Sequence, residues 1–209
     1  MSDGIPASLA AFLLVSVLIE LTPGPNMVWL AIVAATEGRK SGFAAVAGVA
    51  SGLAIVGLAA ALGLAALIAA SPVLYDSLRW AGALYLLWMA WDGWRGADED
   101  PAIAMRGYGL ARSFRRGLIT NLLNPKAAIF FVAVLPGFTR PEGAILGETI
   151  LLSVVYVAVA TAIHAAIVVM AGLASRLLDD PVQSRLVRRG LSLCLALVAL
   201  WFLIATGAG

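Results

Sequence analysis

Glu20, Lys126 and His164 are ionisable residues set in or beside long apolar stretches, and Asn26, Asn121 and Asn124 are amides in the same surroundings. In a lipid setting such residues face a substrate or ion path. Glu20 is a carboxylate inside a predicted span. It can meet a substrate ammonium, pair with Lys126, or carry a coupling proton. The amides donate and accept hydrogen bonds without ionising. His164, the single histidine, titrates near physiological pH and can relay protons; Tyr156 lies two turns before it. Each has a plainer reading: Glu20–Lys126 as a structural pair, His164 as a hydrogen-bonded packing residue.

Two breaks hold most of these groups. The first reads Glu20-Leu21-Thr22-Pro23-Gly24-Pro25-Asn26, between apolar runs 7–19 and 27–35. The second reads Asn121-Leu122-Leu123-Asn124-Pro125-Lys126, followed by the apolar run 127–134. Proline lacks an N–H and cannot continue a helix from within, but it suits a first helical position. New half-helices are therefore expected at Pro25 and Pro125. Their unpaired N–H groups and positive dipole ends would point into the membrane interior, where they suit a substrate carboxylate. Lys126 adds a full charge beside the second. Irregular backbone at bilayer depth is tolerated only where protein covers it or where it lines a cavity. Paired breaks in the two halves of a chain point to the binding site of a secondary transporter. A kink that only shapes packing is the plain alternative for either break alone.

The elements that must position these residues are membrane spans. The chain is 62% hydrophobic and 12% charged, with mean hydropathy +0.97; a soluble domain carries about 25% charged residues. Its 209 residues leave room for about six spans with short loops. Apolar segments fall near 7–36, 42–69, 74–91, 118–138, 149–174 and 190–206. The expected fold is all-α: a polytopic membrane protein of six transmembrane helices, with helices 1 and 4 broken. It is a single transporter domain over 1–209, with repeat 1 about 1–95, a cytoplasmic loop about 92–117 and repeat 2 about 106–209.

Pro25 and Pro125 align the two halves, with Thr120 facing Glu20 and Lys126 facing Asn26. Three spans per half makes the repeat inverted, 3+3. Eleven of the 14 Lys and Arg lie at Arg39/Lys40, in 95–116 and in 176–189, so the positive-inside rule puts both termini outside. The stretch 108–116 reads either as a basic segment lying along the headgroups or as a solvated loop. Most of the six tryptophans lie toward span ends, as interfacial anchors do. Asp3, with no Lys or Arg before Arg39, does not make a signal peptide, so the first apolar run is expected to remain as a span. A net charge of +2 gives no reason to expect a nucleic-acid partner. The single cysteine, Cys194, excludes an internal disulfide. Gly38, Gly42, Gly48 and Gly52 let helices approach closely, within the protomer or across a homodimer. Ala158, Ala162 and Ala166 form a similar stripe.

The run Leu21-Thr22-Pro23-Gly24-Pro25-Asn26-Met27, then Glu37-Gly38-Arg39-Lys40-Ser41-Gly42 and Gly48-Val49-Ala50-Ser51-Gly52, resembles the LysE/RhtB family of bacterial amino-acid exporters. So does Asn121-Leu122-Leu123-Asn124-Pro125-Lys126-Ala127-Ala128-Ile129-Phe130-Phe131, closed by Leu135-Pro136-Gly137-Phe138. The resemblance implies a proton-coupled exporter of amino acids or their derivatives in the bacterial cytoplasmic membrane, with no cofactor. Pro23, Gly24, Pro25, Asn26, Asn124, Pro125 and Lys126 match the two family motifs. Glu20 lies just outside the first, and its role is argued from physics alone.

Two other classes remain open. Some relatives export metal ions, but a soft-metal path needs clustered Cys, His or carboxylates, and Cys194, His164 and Glu20 are far apart in sequence. An intramembrane serine hydrolase needs a serine in a glycine turn with a histidine partner. Ser51-Gly52 with His164 is the nearest approach, and Val49 stands where such a turn wants glycine.

Overall fold

The computed structural model describes residues 4–22, 24–63, 71–95, 109–139, 145–174 and 181–206. Pro23 lies outside this set. The helices are α1 (Gly4–Leu21), α2 (Pro25–Thr36), α3 (Arg39–Ala61), α4 (Pro72–Arg95), α5 (Gly109–Leu122), α6 (Pro125–Ile129), α7 (Ile145–Ala174) and α8 (Pro181–Thr206). A π-helical turn, Phe130–Val134, and a 3-10 turn, Leu135–Phe138, prolong α6.

Both prolines open helices at their first position. The chain bends by 61° between α1 and α2, and by 51° between α5 and the segment from Lys126 to Phe138. The expected apolar run after Pro125 is thus one α turn, one π turn and one 3-10 turn. Pro136 lacks the N–H that an uninterrupted helix would use there. Among the described residues, α3 and α7 are each long and apolar enough to cross a membrane, and the two bent pairs raise the number of such spans to four. Helix α3 ends earlier than its apolar run: Gly63, with φ +82°, makes the left-handed turn that glycine adopts without strain after a helix. The stretch read as a cytoplasmic loop is helical at both ends, since Asp92 to Arg95 complete α4 and Gly109 to Gly117 open α5.

Helix α3 packs on α5 and α7, α2 packs on α7, α3 and α8, and α4 pairs with α8. Close approach of α3 and α5 requires glycine: a methyl group on Gly48 would lie 2.0 Å from the Phe114 carbonyl oxygen, and one on Gly117 would lie 2.3 Å from that of Ala45. Gly42, Gly48 and Gly52 therefore serve packing within the chain, whereas Gly38, with φ +86°, has no neighbour within 4 Å of where a methyl group would lie. Ala158, Ala162 and Ala166 face outward. At one end of the bundle, Asp92 takes Arg116 at 2.6 Å and Arg112 at 3.4 Å, and Arg116 lies over the Trp88 ring. These contacts hold Arg112 and Arg116 of the basic segment against α4.

Polarity runs opposite to that of a water-soluble bundle. Leu14, Leu18, Leu151, Val154, Leu197 and Ile204 are exposed, while Ser16, Glu20, Asn26, Thr120, Asn121, Asn124 and His164 are buried. Such a surface suits lipid, and buried polar groups then face the bundle interior. Trp80, Trp88, Trp91, Trp94 and Trp201 stand on that surface, but Trp29 belongs to the core, because α2 is packed on three neighbours.

Candidate functional site

Both breaks line one cavity, together with Glu20 from α1, Met27 from α2, Leu53 from α3, Ala127 from α6, and Tyr156 and His164 from α7. Gly24, Asn26, Asn121, Asn124 and Lys126 complete the polar wall. The space left for the centre of a water-sized molecule is about 10 Å³, roughly enough for one water. The site is small, and its polar groups satisfy one another only in part.

The first break leaves α2 with Gly24 in extended backbone and no side-chain cap. The second is capped from within, because Oδ1 of Asn124 accepts the Lys126 N–H at 3.1 Å. Asparagine is a preferred residue for this role. The two helix starts therefore differ, and the one at Pro25 keeps its first amides free of side-chain capping.

Lys126 crosses to the other break, where Nζ donates to the Thr22 carbonyl at 2.9 Å. Helix α1 stops at Leu21, and its last carbonyls form the negative end of the helix dipole. The ammonium of the second break thus caps the half-helix that ends at the first. Asn26 Nδ2 donates to Asn121 Oδ1 at 2.9 Å, a second bridge between the breaks. This leaves Asn26 Oδ1 and Asn121 Nδ2 buried without partners, one acceptor and one donor side by side. Space for Asn121 comes from Gly52, where a methyl group would sit 2.9 Å from the asparagine side chain.

Glu20 is held by α7. Tyr156 donates its hydroxyl to Oε1, and His164 Nε2 stands 3.4 Å from Oε2. That approach is not an aligned hydrogen bond, since neither imidazole nitrogen completes one. Glu20 and His164 are 5% and 2% exposed. The carboxylate faces α7, and Lys126 makes its hydrogen bond at Thr22, so the two opposite charges occupy separate places on the cavity wall. Tyr156 is the residue that sequence reasoning passed over as a participant. The signal was its place eight residues before His164, since Tyr156, Ala160 and His164 form one buried face of α7.

The groups named for other chemistries lie apart. Ser51 Oγ donates to the Ala47 carbonyl within its own helix, while His164 faces Glu20. Cys194 is exposed on α8. Among the described residues no three His, Cys, Asp or Glu side chains converge as metal ligands.

An apolar exterior, two broken helices and a charged interior cavity define a multi-pass membrane transport protein. The chain belongs to the LysE type translocator family, which it matches over residues 17–206. It is 32% identical over 166 residues to the homoserine/homoserine lactone efflux protein of Salmonella typhimurium, covering 79% of this chain and 78% of that protein. It is 36% identical over 132 residues to the leucine efflux protein of Klebsiella pneumoniae, covering 58% of each chain. An uncharacterized membrane protein of Pseudomonas aeruginosa is 32% identical over 162 residues, 75% of each. No solved structure matches the chain.

Proposed function

We propose that the protein is a proton-coupled secondary exporter of an amino acid or amino-acid derivative in the bacterial cytoplasmic membrane. In this reading six spans form an inverted 3+3 repeat with both termini outside. One observation carries the reading: both breaks and Glu20 line one small cavity whose wall bears both an ammonium and a carboxylate, as a zwitterion requires. The efflux relatives support an amino-acid substrate.

The substrate carboxylate meets the free amides at the start of α2 and the Lys126 ammonium. Glu20 receives either the substrate ammonium or the counter-moving proton, with His164 beside it as proton partner. Asn26 Oδ1 and Asn121 Nδ2 orient the substrate through the two hydrogen-bonding positions they leave unused. Gly24 and Pro25 shape the first terminus, Asn124 and Pro125 the second. Pro23 belongs to the same motif. Alternating access comes from the two halves rocking about this site.

The test is purified protein in proteoliposomes with an imposed pH gradient, an internal pH dye, and a panel of amino acids that includes homoserine and leucine. Proton flux triggered by particular amino acids supports the reading and names the substrate. Flux triggered only by divalent metal ions would replace it with metal export.

A further inference from the structure

Among the described residues Tyr156 is the largest side chain that is fully buried, and it joins three elements of the site. Its hydroxyl donates to Glu20 at the end of α1. Its ring lies flat on Phe130, with centroids 3.6 Å apart and 11° between the planes. It meets Phe131 edge-on, at 5.6 Å and 90°. Phe130 and Phe131 begin the π-helical turn that follows the second break. One side chain of α7 therefore touches the carboxylate of the first broken helix and the irregular turn of the second.

The carboxylate is a strong acceptor only while it is charged and unshared. A proton or an ammonium on Glu20 takes up part of that acceptor capacity and weakens the hold on the phenol. A ring packed against two others cannot move alone, because close-packed interiors pass displacement to their neighbours. The neighbours here lie on a π turn, a geometry found mostly at functional sites. Movement is also required, since the space of about 10 Å³ at the site is too small for an amino acid. The titratable groups that face Glu20 are Tyr156 and His164 from α7 and Lys126 from across the cavity.

We propose that Tyr156 is the positioning residue that couples occupancy of Glu20 to the second broken helix, so that a proton or ammonium on Glu20 shifts the Phe130–Phe131 turn and opens the cavity. The inference rests on the reading of the site as that of a proton-coupled exporter.

The test uses the full chain in proteoliposomes with labelled homoserine, leucine, threonine and lysine. Two rates are compared: exchange at equal pH on both sides, and accumulation driven by a pH gradient. Tyr156→Phe keeps the ring and removes the hydroxyl. The expected result is a ratio of driven to exchange transport at least about fivefold below wild type, within the usual range of coupling between sites. Glu20→Gln should lower the same ratio, and the double variant should lie no lower than the worse single one, because both remove one interaction. A proportional fall in both rates makes Tyr156 a packing residue and overturns the proposal. Wild-type behaviour in Tyr156→Phe overturns it too, as do independent, multiplying losses in the double variant. A wild-type protein that moves none of the four amino acids instead removes the exporter reading beneath the proposal, so the two failures are told apart.

Discussion

Lys126 donates to the carbonyl of Thr22, 104 positions earlier in the chain, at 2.9 Å. The bond makes each broken helix depend on the other: the charge carried at the start of the second half-helix neutralises the open carbonyl end of the first. A substrate carboxylate that draws Lys126 away would uncap α1, which ties binding to movement of the break.

Lys126→Ala should therefore abolish export while leaving the protein in the membrane. Lys126→Arg keeps the charge but cannot reproduce a compact point donor, and should retain only a minor fraction of the rate. Transport assays on membrane fractions with matched protein levels measure both. Full export by Lys126→Ala would remove the proposed carboxylate site.

Pro125→Ala should reduce export by about tenfold or more, because alanine restores an N–H and favours continuing α5 through the break. Asn124 would then lose its capping position. Export measured alongside protein abundance separates this effect from failed insertion. Normal export would show that the break has only a packing role.

The two glycines nearest the site should behave differently. A methyl group at Gly52 meets the Asn121 side chain at 2.9 Å, whereas one at Gly24 stands 3.5 Å from Lys126 Cδ, an ordinary contact. Gly52→Ala is expected to push Asn121 off Asn26 and to cut export by about tenfold. Gly24→Ala should stay within about twofold of wild type, since its extended backbone suits any residue. Equal effects from the two would argue against Asn121 as an orienting residue.

Gly48→Ala should act on stability. Its methyl group would lie 2.0 Å from the Phe114 carbonyl oxygen, which forces α3 and α5 apart. Overpacking of this kind costs about 1–3 kcal/mol, so the detergent-solubilised protein should unfold at lower temperature. A thermal-shift series with Ser51→Ala as control checks it, because the Ser51 hydroxyl bonds only within α3. An unchanged midpoint would mean that α3 and α5 are not held at this distance.

Asn26 and Asn121 should couple weakly in energy and strongly in function. Hydrogen bonds between membrane helices contribute about 0.6 kcal/mol on average. Replacing either by Ala should leave stability nearly unchanged while raising the substrate concentration for half-maximal transport. Thermal unfolding and transport kinetics on the two single variants and the double variant measure both terms. A large stability loss with unchanged kinetics would make the pair structural.

The sequence by itself determined where the helices break and what kind of solvent surrounds them. Proline has no N–H, so Pro25 and Pro125 could not continue a helix from within and suited a first helical position, and long runs with few charges had to lie in lipid or in a core. These are local properties, read from residues a few positions apart. It did not determine what the buried groups touch. Asn26 meets Asn121 across 95 positions, and Glu20 meets Tyr156 across 136. Helix α7 is apolar around nearly its whole circumference, so no periodic pattern marks the face that turns inward. The rotation of each helix about its axis is set by packing, by glycines that let α3 sit on α5 and by rings that interlock around Tyr156. Only the tertiary structure decided that Lys126 caps Thr22 rather than pairing with Glu20, and that Tyr156 joins the two breaks.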